Sequence, residues 1–302
     1  MPSQTMDPYT ASVISATGSN ASPRVRQVFA SLVSHLHDFI RESKVTVDEW
    51  MLGVDLINRI GQMSDTKRNE AILVCDVLGV ESLVDAITND LETQTHTKSC
   101  IIGPFYRENS PVYENGETII QKDLGGETAV VRGVVRSTNG SPIEGAKVEV
   151  WHTAPNGLYE QQDPEQPEYN LRGTFYTDKD GVYEFVGLRP TSYPIPFDGP
   201  AGDILQLLDR HAFRPGHIHF LVSSLGHRRL VTQIFDSKDP YVENDSVFAV
   251  KNELIVEFLP SKSGKAQFEV EYDMTLPTDE EVIIMEEKKV AAGQLKEVPA
   301  RI

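Results

Sequence analysis

Cysteine is almost absent from this chain. Cys75 and Cys100 are its two thiols in 302 residues. Neither has a CxxC partner, so there is no cysteine cluster for a metal, and two thiols cannot staple a chain of this size. They read as free thiols of a reducing, cytoplasmic compartment. Long apolar runs are missing too: no stretch reaches the ~18 residues of a transmembrane helix. The opening run MPSQTMDPYTASVISATG has no basic region followed by an apolar one and does not read as a secretory signal. Positive charge is scarce, with 28 Lys and Arg against 45 Asp and Glu, a formal charge of −17. Nucleic acid is densely negative, so this balance argues against it as a partner. There is no internal repeat, no low-complexity tract and no HExxH motif.

What remains is an ordinary globular composition, 39% apolar and 24% charged, long enough for one large domain or two modest ones. Residues 1–22 are rich in Ser, Thr and Asn without apolar periodicity and read as a mobile tail. From Pro23 to Ser43, Val25, Val28, Phe29, Leu32, Val33, Leu36, Phe39 and Ile40 recur at three- and four-residue steps. That is one face of an amphipathic helix with Pro23 in its first turn. Thr46 and Glu49 form a capping box for a second helix running through Ile60. A third is expected from about Asp65 to Leu78, with Gly79 at its C-terminal cap, and a short fourth over Ser82 to Thr88.

Near residue 100 the apolar period drops to two, and Gly and Pro become frequent. Strands are expected at Thr128–Arg136, Ala146–His152, Phe175–Thr177, Val182–Val186, His217–Ser223, Arg229–Phe235, Asn252–Phe258 and Ala266–Met274. Asp178-Lys-Asp-Gly181 has the chemistry of a hairpin loop. The fold class is therefore α+β: an N-terminal helical domain, residues 1–99, followed by an antiparallel β-sandwich, residues 100–276. The charged segment 277–302 reads as a loose helix or a tail.

Every chemical motif lies in the second part. In Arg214-Pro-Gly-His-Ile-His-Phe220, strand alternation puts His217 and His219 on one face with Ile218 behind them. Two imidazoles on one face are half of a metal site, or two histidines that each have a hydrogen-bond partner. The other six histidines have no same-face partner in the sequence. A metal needs further donors, and no carboxylate completes a two-His-one-carboxylate triad. Tyrosine is what stands nearby. Tyr159 ends the run from Trp151, and Tyr193 lies in a segment stiffened by Pro190, Pro194 and Pro196. By itself each is as compatible with a packed ring and a bonded hydroxyl. A hard, highly charged cation would suit phenolate oxygens better than thiolates.

Three runs in order remove the ambiguity. WHTAPNGLY (Trp151–Tyr159), TSYPIPFDGP (Thr191–Pro200) and RPGHIHF (Arg214–Phe220) resemble the signatures of the intradiol ring-cleavage dioxygenases, as does IIGPFY (Ile101–Tyr106). The likeness covers roughly Val25 to Asp273. Within the family the hydroxyquinol 1,2-dioxygenases look nearest, on YPIP after Tyr193, DVLGVESLVDAI (Asp76–Ile87) and DPYVENDSVFAVK (Asp239–Lys251). The sequence departs from the usual pattern at Gly216, where Ala is more common, and at Phe213, where Trp is.

The resemblance implies one non-haem Fe(III) per subunit, held by Tyr159, Tyr193, His217 and His219. By the family pattern Tyr193 would be the phenolate that yields to the substrate. Arg214 would stabilise negative charge developing on the substrate, and Gln233 matches a conserved glutamine of the family beside the iron-bound oxygens. Leu73, Asp76, Ile102, Gly103, Pro104, Ile195 and Pro196, together with Arg214, match positions that wall the substrate pocket. Asp76 is the polar wall residue that could receive a third ring hydroxyl. The implied reaction is opening of hydroxyquinol (1,2,4-trihydroxybenzene) by O2 between its adjacent hydroxyls, giving 3-hydroxy-cis,cis-muconate and so maleylacetate. Catechol or a substituted catechol is the alternative substrate. The likeness also implies a homodimer through the N-terminal helices, enclosing a lipid-like ligand. Two readings from other classes compete: a non-enzymatic prealbumin-like binding module, which would hold no iron, and a zinc hydrolase, which lacks a glutamate base at the usual spacing.

Overall fold

The computed structural model describes residues 6–89 and 96–291. The first five residues of the expected tail and the last eleven of the charged extension lie outside them. The chain divides into two compact units, residues 1–58 and 59–302.

In the first unit, part of the expected mobile tail is a helix, α1 (Pro8–Ser15). Asp7 caps it by accepting the N–H groups of Tyr9 and Thr10 at 3.0 and 3.2 Å. Arg41 of α2 (Pro23–Ser43) ties it down, donating to Asp7 and to the Thr10 hydroxyl at 2.8 and 2.7 Å. The correction has a local cause. The segment has no apolar period, but it carries a cap and a Pro in its first turn, which suffice when a longer helix offers partners. α3 (Val47–Met63) opens on the expected box, with Thr46 Oγ1 accepting Glu49 N–H and Glu49 accepting Thr46 N–H.

In the second unit, α4 spans Glu70–Val77 and α5 spans Val80–Asn89. α4 starts later than the apolar period suggests. The Asp65 carboxylate first takes the N–H groups of Lys67 and Arg68 in a turn, and Asn69 is the actual cap. Gly79 sits between α4 and α5 at φ 69, where a side chain would be strained.

The strands follow in chain order: β1 (Thr128–Ser137), β2 (Lys147–Trp151), β3 (Arg172–Tyr176), β4 (Val182–Leu188) and β5 (Tyr193–Pro194). Then come α6 (Pro200–Leu207), β6 (Phe213–Arg214), β7 (His217–Ser223), β8 (Leu230–Asp236), β9 (Ile255–Val256), β10 (Leu259–Pro260), β11 (Phe268–Glu271), β12 (Met274–Leu276) and α7 (Asp279–Ala291). One sheet runs β10-β11-β1-β12 with β4 also paired to β1. The other runs β3-β2-β7-β8-β9, and β5 pairs with β6. The sheets are mixed rather than antiparallel: β11 and β12 join β1 parallel, and β9 joins β8 parallel. Late strands return to early ones by long crossovers, which hairpin logic does not foresee. The expected strand Ala266–Met274 is broken at Tyr272 and Asp273. Here Gly133 lets a backbone carbonyl approach where a Cβ would stand 1.9 Å from it, and the Asp273 carboxylate takes the Val134 N–H at 2.8 Å. The expected strand at Asn252–Phe258 opens instead as a 3-10 turn over Asn252–Leu254.

Both five-stranded sheets feed one buried cluster that includes Val131, Val148, Phe175, Phe185, Ile218, Phe220 and Phe235, all without exposed surface. At about 1.5–3 kcal/mol for each large apolar side chain removed from water, this cluster dominates the stability of the unit. It also sets the direction of β7. With Ile218 and Phe220 committed to the core, His217 and His219 must face the other way.

Candidate metal centre

β7 delivers the two imidazoles, and both are buried to 2% exposure. The Nδ1 of His217 lies 2.8 Å from the Pro215 carbonyl. A carbonyl only accepts, so Nδ1 carries the proton and Nε2 presents a bare lone pair. His219 is fixed differently. Trp151, its cross-strand neighbour on β2, stacks on it at 4.6 Å and 8°. Its Nδ1 is buried with no hydrogen-bond partner.

The tyrosines arrive from outside β7. Tyr159 leads into a short 3-10 turn over Glu160–Gln162 and is pinned by its N–H to Gln162 Oε1 at 3.0 Å. Beneath that turn, Glu160 is paired with buried Arg172 at 2.6 Å. Tyr193 stands on β5 opposite Arg214 on β6. Gly157 makes this approach possible, since a Cβ there would come to 2.9 Å from that of Tyr193.

Four donor atoms converge. The Tyr159 hydroxyl is 3.2 Å from that of Tyr193 and 3.0 Å from His219 Nε2, and the two Nε2 atoms are 3.1 Å apart. Ligands about 2.0–2.1 Å from one metal and about 90–110° apart stand roughly 2.8–3.4 Å from each other, so the spacing fits a shared ion. Among the described residues, no group of three or more His, Cys, Asp and Glu could hold a metal. The tyrosines are what complete the donor set here.

The electrostatics suit a high-valent cation. Burial, then the neighbouring Tyr193, holds the Tyr159 hydroxyl well above the usual tyrosine range. Burial also raises Tyr193, with Arg214 pulling the other way. Burial, then Arg214, holds His217 well below the usual histidine range, and burial, then His217, does the same for His219. At neutral pH the imidazoles are therefore uncharged, with lone pairs available to a metal. The phenols keep their protons until a cation of high charge replaces them.

Arg214 is 4% exposed, with its Nη1 3.0 Å from His217 Nε2. Its Nη2 donates to Gln233 Oε1 at 3.1 Å, and Gln233 in turn donates to the Ile101 carbonyl at 2.8 Å. Arg214 also forks onto Asp245 at 3.1 and 3.2 Å. Burial is the largest influence and works against its charge, but Asp245 and Tyr193 together outweigh it and hold the guanidinium above the usual arginine range.

The expected wall residues fall in three places. A Cβ on Gly103 would stand 3.6 Å from the His219 ring, and Ile102 packs on the cluster of Phe105, Trp151, Tyr159, Tyr193 and Leu221. Pro104 follows, half-buried. Ile195 and Pro196 line a cavity of about 540 Å³ with Phe105, Leu158 and Arg68. Leu73 and Asp76 are buried on α4. Asp76 is within electrostatic reach of Arg214 and Asp245. Its carboxyl is pushed up to about 9, by burial first and then by a hydrogen bond with Glu81. Its Oδ1 is buried without a partner. Trp151, Asp245 and Glu81 are neighbours that motif reading leaves without a role. A search for the counter-charge of a buried Arg, or for the cross-strand partner of a buried His, would have raised the first two.

The comparisons with known proteins follow this geometry. Residues 101–278 match a family model described as dioxygenase, and residues 22–96 match one described as catechol dioxygenase N terminus. The chain is 52% identical over 282 residues to a catechol 1,2-dioxygenase of Candida albicans, covering 91% of this chain and 93% of that protein. It is 40% identical over 237 residues to a hydroxyquinol 1,2-dioxygenase of Rhizobium sp., covering 78% and 80%. The solved structure of hydroxyquinol 1,2-dioxygenase from Pseudomonas putida DLL-E4 superposes with a TM-score of 0.81 at 38% identity, covering 90% of this chain and 98% of that one.

Proposed function

The chain belongs to the intradiol ring-cleavage dioxygenases, and on that premise we propose that it opens hydroxyquinol with O2, using one ferric ion held by Tyr159, Tyr193, His217 and His219. The observation that carries this reading is the convergence of two phenols and two neutral imidazoles within 3.2 Å of their neighbours in a buried site. When bound, ferric iron supplies the electron withdrawal that makes a chelated diol reactive toward O2. Tyr193 accepts one proton of the diol at its phenolate oxygen, while Tyr159 and the two histidines keep their places. Arg214 faces the negative charge that develops on the substrate, and Gln233 holds one arm of that guanidinium.

Asp76 supports the choice of substrate. A neutral carboxyl with an unpartnered buried oxygen can bond the 4-hydroxyl of hydroxyquinol, and catechol leaves it unpaired. The difference is worth about 1–3 kcal/mol, or roughly five- to a hundredfold in kcat/KM. The 52% identity with a catechol 1,2-dioxygenase favours catechol as the second reading. The test is kcat/KM for both diols, by O2 uptake, in wild type and in Asp76→Ala. Hydroxyquinol should be preferred and the preference should shrink in the variant. A wild type that prefers catechol would overturn the substrate assignment.

The same proposal places the activity in the cytoplasm, in a homodimer formed by the helical segment 1–99. In support, Val28, Phe29, Leu32, Leu36 and Phe39 of α2 are each 47–58% exposed. A groove of about 770 Å³ within the first unit, lined by residues including Leu36, Phe39, Ile40, Trp50, Val54 and Ile57, suits a lipid chain.

A further inference from the structure

We infer that Asp245 is a positioning residue that aims the Arg214 guanidinium at the metal ligands. The inference rests on the proposed dioxygenase reading and adds a residue to it. A guanidinium on a flexible stem has several ways to lie, and burial alone would drive it toward water. In this site its directions are assigned one by one. Nε donates to Asp245 Oδ1 at 3.1 Å and Nη2 donates to Oδ2 at 3.2 Å. Nη2 spends its second proton on Gln233. The edge left over, Nη1, lies 3.0 Å from His217 Nε2. A fork held on one edge by a bidentate carboxylate fixes the plane of the whole group, so the direction of Nη1 follows from the place of Asp245.

Asp245 is itself immobilised. Oδ1 also accepts the N–H of Val247 at 3.2 Å, and Oδ2 accepts that of Ala249 at 3.1 Å. The residue after it ties the segment to the stretch around β6. Ser246 donates its N–H to the Phe213 carbonyl at 3.2 Å and its hydroxyl to Ala212 at 3.1 Å, and Arg210 donates to the Ser246 carbonyl at 2.7 Å. The other buried acids nearby are engaged elsewhere: Asp236 pairs with Arg189 at 2.6 Å, and Asp76 bonds with Glu81. Asp245 thus relays the position of a backbone loop to a charged group that must stay aligned while the substrate changes charge.

The test is a double-mutant cycle on the iron-loaded enzyme with Asp245→Asn, Arg214→Met and the pair. Iron content and melting temperature are measured alongside, and 4-nitrocatechol is titrated anaerobically by absorbance. The single Asp245→Asn change should lower kcat/KM by about 100-fold, the scale of a misaimed catalytic group. It should also weaken 4-nitrocatechol binding, with iron still at one per chain. In the Arg214→Met background the same change should cost less than about threefold, because the group it aims is gone. Equal losses in both backgrounds would overturn the inference, as would an Asp245→Asn enzyme within about threefold of wild type. If the Asn variant does not fold, Asp245→Glu keeps the charge and displaces it, and the same two criteria decide. Wild-type turnover of the diol is the separate control: its absence would sink the dioxygenase reading, whereas additive losses in an active enzyme sink only the role of Asp245.

Discussion

A carboxyl group sealed within electrostatic reach of Arg214 and Asp245 has to find either a partner or a proton, and Asp76 takes a proton. Burial, with the Glu81 bond, moves its ionisation from 3.8 to about 9 while Arg214 opposes the shift. Between those values the folded chain holds a proton that the unfolded chain has lost. The stability this group contributes is therefore full below 3.8 and drains away as the pH rises toward about 9. Asp76→Asn cannot ionise at that position. Its melting temperature should fall less than that of wild type between pH 5 and about 9, as followed by circular dichroism. Equal slopes would show that Asp76 is ionised in the folded chain. At the same scale, His219 has no hydrogen-bond partner on Nδ1 and depends on the Trp151 ring for its orientation. Trp151→Leu should retain a folded chain but lose iron at least about tenfold faster to a chelator, in line with the tenfold or greater effect of removing groups that orient ligands. Unchanged iron loss would rule out that support.

Elements are held to one another here by side chains that no local pattern reveals. Glu70 is the plainest case: it has no exposed surface, accepts the Ala201 N–H at the start of α6 at 3.0 Å, and accepts Arg68 Nε at 2.8 Å. Gly199, the residue before α6, offers no side-chain cap. Glu70→Ala should cost about 2–4 kcal/mol, because the start of α6 loses its acceptor and Arg68 loses the buried one of its two carboxylate partners, keeping Asp198. Glu70→Gln should cost less, since its carbonyl still accepts. Urea unfolding midpoints check both, and an Ala variant as stable as wild type would remove this contact from the list of supports. The same distinction explains what was legible in advance. β7 could be read from alternation, and with it the common face of His217 and His219. The capping box at Thr46 and Glu49 and the turn at Asp178 are local chemistry and were equally visible, but that turn carries the chain from β3 in one sheet to β4 in the other instead of closing the expected hairpin. The parallel returns of β9, β11 and β12 were not, nor the pairing of Asp245 with Arg214 or of Glu70 with Ala201, because their partners are fixed only by the completed fold.

At the scale of the whole molecule, the proposal gives separate jobs to the helical segment and to the sheets that carry the candidate metal centre. The exposed apolar stripe of α2 is the observation behind the proposed dimer. Light scattering at micromolar concentration should give twice the 33.7 kDa of one chain, and Leu36→Asp with Phe39→Asp should halve that mass. A monomeric wild type would contradict the proposed dimer. The family was legible because three short runs bring two tyrosines and two histidines in a fixed order, although only the folded chain brings their four donor atoms within 3.2 Å of their neighbours. One spectrum decides whether those atoms hold iron as proposed. Purified protein loaded with one ferric ion per chain should be red to burgundy, from phenolate-to-iron charge transfer, with the band altered in Tyr159→Phe and in Tyr193→Phe. A chain that binds one iron and stays colourless would contradict a site built on two tyrosinates.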